Sequence, residues 1–121
     1  MKFDYGNGEI EIEISFYTLL VYEQEFGGDM IQDLFGRIVI NQEDSGEIAL
    51  DYTQTNWTAT TKALWACAKT ANDNVQPYKQ WARTMTNGVN MYSLSSNLIR
   101  CIEQELFRLG TPADTEVEEE Q

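Results

Sequence analysis

The sequence predicts an α+β domain: an N-terminal β-hairpin, which a second hairpin would extend, packed with four to five α-helices that make the C-terminal two-thirds mostly helical. Three observations lead there. Apolar and charged side chains alternate around a glycine turn near the N-terminus. From Ser15, and again from residue 55, the apolar spacing lengthens to that of a helix. Gly, Asn or Pro then stands where each helical pattern stops.

The hairpin is the clearest element. Phe3 and Tyr5 lead into Gly6-Asn7-Gly8, a turn sequence that tolerates positive φ, and Ile10, Ile12 and Ile14 then face one way with Glu9, Glu11 and Glu13 opposite. Ser15 is an N-cap candidate for a helix that Gly27-Gly28 ends, and Phe16, Leu19, Leu20 and Phe26 are read as its buried stripe. Asp29 caps a shorter helix, "MIQDLF", that Gly36 terminates. "RIVI" at 37–40 and "EIALDY" at 47–52 flank Asp44-Ser45-Gly46 and suggest the second hairpin.

From Thr55 to Ala71 the spacing is helical, with Asn56 as cap and Trp57, Thr61, Leu64, Trp65 and Ala68 on one side. Pro77 suits the first turn of the next helix, where its missing N–H costs nothing, and Tyr78, Trp81, Ala82 and Met85 follow at i, i+3, i+4 and i+7. The last long helix is expected from Met91 or Ser93 to Leu109, on a stripe of Leu94, Leu98, Ile99, Ile102, Leu106 and Leu109. Residues 1–110 are thus read as one domain. The remainder, 111–121, is acidic, almost without apolar side chains, and expected to be disordered.

Charge narrows the function. The chain carries 20 Asp and Glu, 8 Lys and Arg, and no His, for a net charge of −12. That balance opposes attraction to phosphate backbones and anionic lipid surfaces. It is also segregated: residues 1–56 sum to −10, residues 57–100 to +4, and the rest to −6. A basic middle between acidic ends is either neutralised within the fold or meets the acidic face of a neighbouring copy. No apolar run approaches membrane-spanning length and no secretory leader is seen, so the chain is read as neither secreted nor membrane-spanning.

Without histidine, imidazole bases, His-dependent triads and His-ligated zinc are excluded. Glu9, Glu11 and Glu13 read as a solvated strand face. "NQEDSGE" at 41–47 offers oxygen donors but lacks the alternating pattern of a calcium loop. Cys67 and Cys101 look like small apolar side chains of a reduced compartment, and their separation leaves a disulfide open. No catalytic residue, cofactor or metal is expected. What stands out is the basic stretch "ACAKTANDNVQPYKQWARTM" at 66–85, whose Trp65 and Trp81 neighbours suit core packing better than a stacking platform for single strands.

The order of elements, "FDYGNGEIEIEI", "SFYTLLVYEQEFGGDMIQDLF", "NWTATTKALWACAKTAND", "QPYKQWARTM" and a final amphipathic helix, resembles the tail assembly chaperones of long-tailed, siphovirus-type bacteriophages over residues 3–109. That resemblance implies a non-enzymatic protein of the host bacterial cytoplasm, absent from the mature virion. Its partners would be the tape measure protein, which it coats and keeps soluble, and tail-tube subunits, which it helps recruit through a frameshifted longer product. Self-association along a line is expected with it. The alternative is a small structural virion protein, a head–tail connector or tail-completion component. For partner binding the sequence nominates Tyr78, Lys79, Trp81, Arg83 and Met85, where an aromatic stripe meets the basic block.

Overall fold

The computed structural model describes residues 1–36, 39–42, 48–51, 56–85 and 87–107. It is an α+β arrangement with an antiparallel hairpin at the N-terminus and, among the described residues, five α-helices. Strands β1 (Lys2–Asp4) and β2 (Glu9–Glu11) pair in the register Phe3↔Ile10. Gly6 at φ 108° makes the turn possible, since a side chain rarely adopts that conformation. The Asp4 carboxylate accepts from the Gly6 N–H at 2.9 Å. Asn7 Nδ2 donates to Asn87 O at 2.8 Å, which fastens the hairpin tip to the segment before the last helix. Ladder pairing ends at Glu11, but the chain stays tied. Ile12 N–H donates to Met1 O and Glu13 N–H to Cys67 O, so Ile12 and Ile14 are delivered into the core while Glu9, Glu11 and Glu13 stay outside.

Helix α1 (Phe16–Phe26) is capped by Ser15 and stopped by Gly27 in the left-handed conformation. Helix α2 (Met30–Phe35) is capped by Asp29, whose Oδ1 accepts from Ile31 and Gln32 N–H. Strands β3 (Val39–Gln42) and β4 (Ile48–Asp51) form the second hairpin, with Ile40 opposite Leu50. Among the described residues they make their own two-stranded sheet, apart from the first hairpin.

Helix α3 (Trp57–Ala71) is the axis of the fold, touching α1, α2, α4, α5 and β2. Ala59, Thr60, Ala63, Leu64, Trp65, Ala66, Cys67 and Ala68 are all buried, because neighbours cover it on several sides. Alanines on its surface let those neighbours approach. Helix α4 (Tyr78–Thr84) starts after Pro77, and α5 (Met91–Ile102) is capped by Asn90. Where a continuous α-helix was expected, α5 passes into a π-helical turn over Glu103–Phe107. Leu109 and the acidic end at 111–121 lie outside the described residues, as do 43–47 of the "NQEDSGE" segment. Among the described residues, no helix is long and apolar enough to cross a membrane.

The expected stripe of α1 divides: Leu19 and Phe26 pack against the core while Phe16 and Leu20 do not, and the buried residues are Thr18, Val21 and Tyr22. Thr18 is drawn inward by hydrogen bonds: its Oγ1 accepts from Ser15 N–H at 3.0 Å, donates to Glu13 O at 3.1 Å, and sits 3.0 Å from Thr70 Oγ1 on α3. Tyr22 is fully buried and donates its hydroxyl proton to Asp33 at 2.7 Å, joining α1 to α2. Those anchors fix the helix rotation, and Phe16, Tyr17 and Leu20 turn to solvent.

Candidate interaction surface

The basic segment nominated from sequence divides into two faces on α4. Tyr78, Trp81, Ala82 and Met85 turn toward α3 and belong to, or pack against, the core cluster. Trp81 is only 3% exposed, so it is a core side chain and not a surface contact. Tyr78 and Met85 are half-buried, and the Tyr78 hydroxyl hydrogen-bonds Thr61 Oγ1 at 2.9 Å. Lys79 and Arg83, four residues apart, stand together on the outer ridge.

The aromatics form one interior network. Phe26 lies edge-on to Tyr22, Trp65 and Tyr78 at centroid distances of 5.0, 5.6 and 4.9 Å, and Tyr78 stacks on Trp81. Trp65 Nε1 donates to Gln76 O at 2.8 Å, which holds the α3–α4 connection down.

Among the described residues the cations of the basic block form no ion pair with a carboxylate. Among the described residues the ion pairs are Met1 and Lys2 with Glu11, at 2.7 and 4.0 Å. Lys62 sits over the Phe26 ring at 5.2 Å, Lys69 over Trp65 while donating to Asp73 O at 2.8 Å, and Arg100 reaches Asn97 and Ser96. The opposite-sign blocks therefore meet no partner in each other through the described side chains.

Sequence reading missed the most exposed apolar surface. Phe16 is 77% exposed, Tyr17 54% and Leu20 43%, a stripe along the outer side of α1. Beside it a cleft of about 430 Å³ is lined by Leu19, Leu20, Glu23, Gly27, Gly28, Asp29 and Met30. The stretch from Phe16 to Tyr22 is apolar almost all round the helix, so periodicity alone selects no face. The available signal was Ser15 three residues before Thr18, the spacing of a reciprocal cap that draws Thr18 inward. A second exposed patch pairs Trp57 with Tyr92, edge-on at 5.0 Å, where α3 and α5 begin. Trp57 shares a side of α3 with Leu64, Trp65 and Ala68, but at the first position of the helix it lies beyond the neighbours that cover them.

Among the described residues the titrating groups that depart from ordinary behaviour are mostly interior, the exception being exposed Glu11, whose carboxyl is held low by its hydrogen bond from the N-terminal ammonium. Burial pushes the Cys67 thiol well above its usual range, and burial together with Glu105 raises that of half-buried Cys101. Both are free cysteines, held as thiols and not as nucleophilic thiolates. Burial likewise raises the carboxyl of Glu103 at the start of the π-helical turn, against the opposing pull of Arg100. Among the described residues no group of His, Cys, Asp or Glu is arranged to hold a metal ion. The chain matches no family model, and neither curated proteins nor solved structures show a similar chain.

Proposed function

We propose that the protein is a tail assembly chaperone of long-tailed bacteriophages. In the host bacterial cytoplasm it binds and solubilises the tape measure protein and helps recruit tail-tube subunits, in part through a frameshifted longer product. The observation that supports this reading is the exposed apolar stripe of α1 on a domain that is otherwise conventionally packed. A contiguous apolar strip on a strongly acidic small protein suits capture of an amphipathic helix, while the net charge of −12 keeps the loaded assembly soluble. The exposed Lys79–Arg83 ridge has the sign to meet the acidic block of another copy, which fits self-association along a long client.

Co-expression with the large helical protein encoded nearest downstream tests the reading. Soluble co-purification of the two, with this protein absent from purified virions by mass spectrometry, is the expected result. An insoluble partner, with this protein present in virions, would overturn it in favour of a head–tail connector or tail-completion component.

A further inference from the structure

We infer that the outer face of α1 docks a cationic amphipathic helix, which on the chaperone reading above is the recognised segment of the client. Phe16 and Leu20 are one helical turn apart and point outward together. They form one i, i+4 ridge of the kind that seats in the groove of a crossing helix, and the eleven residues of α1 span about 16 Å, room for two to three turns of partner.

The cleft beside them selects the sign of the partner's charge. Its walls are Leu19, Leu20 and Met30, and its carboxylates are Glu23 and Asp29. Asp29 commits Oδ1 to the α2 N–H groups, and Glu23 has no ion pair among the described residues. A cleft lined by both leucines and carboxylates fits a lysine or arginine, whose methylene stem can lie along leucine while its head reaches the oxygens. The far flank, past Tyr17, carries Lys69 over Trp65 beside Glu25 and Asp73. The partner's cations therefore seat on the Glu23–Asp29 side, where no lysine or arginine lines the cleft.

A second copy using this same face is disfavoured, because the cleft beside it holds Glu23 and Asp29 and no cation, so two-fold pairing would bring like-charged surfaces together. The wider charge is complementary as well: residues 1–56 sum to −10. Diffuse attraction of that kind would act on any cation, so the test separates it from docking.

The full chain is titrated into a fluorescently labelled peptide with leucines at i, i+3, i+4 and i+7 and lysines between, and anisotropy is read. Two control peptides carry glutamate in place of lysine, or the same residues in an order that destroys amphipathicity. The inference expects binding of the first peptide alone. Replacing both Phe16→Ser and Leu20→Ser should weaken it by about tenfold or more, the equivalent of one buried leucine lost. Glu23→Lys should weaken it about as much. Glu9→Lys, on exposed β2 with the same change in net charge, should alter it less than about twofold. Near-ultraviolet circular dichroism verifies that each variant is folded.

Equal weakening by Glu9→Lys and Glu23→Lys would overturn the inference, since the peptide would then be held by net charge. So would unchanged affinity of the Phe16→Ser, Leu20→Ser variant. Concentration-dependent dimers that exclude the peptide and disappear in that variant would overturn it in favour of a second copy. The outcome is separable from the co-purification experiment. A client that co-purifies while the peptide fails to bind places the client on another surface. A peptide that binds by these rules while no client co-purifies leaves the docking face standing and removes the phage role.

Discussion

Replacing Thr18 by valine keeps the shape of the side chain and removes a hydroxyl that serves three neighbours. Ser15 N–H loses its acceptor, Glu13 O loses its donor, and Thr70 keeps only its bond to Ala66 O. A buried polar group stripped of its partner costs about 1–3 kcal/mol. Ser15 and Glu13 are near enough to solvent that the lower end applies to each, and the added methyl offsets up to about 0.8 kcal/mol. The net loss works out at roughly 1–2 kcal/mol. Thr18→Ser is the matched comparison, because it keeps the hydroxyl and deletes a methyl worth about 0.8 kcal/mol. Urea unfolding at neutral pH, followed by circular dichroism, should show a lower midpoint for both variants with unchanged slope, and the lower of the two for valine. A valine variant as stable as the serine variant, or more so, would refute the claim that hydrogen bonding sets the rotation of α1.

Trp81 is buried and its Nε1 finds no hydrogen-bond acceptor among the described residues, so Trp81→Phe should cost under about 1.5 kcal/mol, whereas Trp81→Ala should cost about 3–5 kcal/mol in the same unfolding assay. Trp65→Phe forfeits the bond to Gln76 O and should cost more than Trp81→Phe by about 1 kcal/mol. Glu103 has its folded carboxyl raised above the unfolded one. Its stabilising contribution is therefore complete at acid pH below the ordinary carboxylate range and lost as pH rises through the folded value; Glu103→Gln should be more stable than wild type at pH 7, with the gap closing below roughly pH 4. Reversing the outer ridge of α4 with Lys79→Glu and Arg83→Glu should change stability by less than about 0.5 kcal/mol yet weaken self-association, measured by sedimentation velocity. Native protein treated with a thiol reagent should label Cys101 well before Cys67, which reacts only on unfolding.

Local chemistry announced much of this fold. The alternation of Ile10, Ile12 and Ile14 with glutamates, the caps Ser15, Asp29 and Asn56, and Pro77 ahead of α4 each act within a few residues, so neighbouring letters suffice to read them. The second hairpin was legible as a pair of strands, but whether two hairpins share a sheet depends on contacts distant in sequence. The π-helical turn at Glu103–Phe107 was not legible, because its apolar spacing is also that of an α-helix. The site was half readable: Lys79 and Arg83 stand outside as nominated, while Trp81 is interior and Phe16 and Leu20, assigned to the core, are the exposed pair.

By itself the sequence determined the charge, the absence of imidazole chemistry, the element order and the fold class, since composition and short-range periodicity require no partner. Tertiary structure decided which side of α1 faces out and which aromatics are spent on the core. The physical reason is that a helix apolar on nearly every side has no intrinsic inside. Only the hydroxyl of Thr18 reaching Glu13 and Thr70, and that of Tyr22 reaching Asp33, choose the rotation that leaves Phe16 and Leu20 in water.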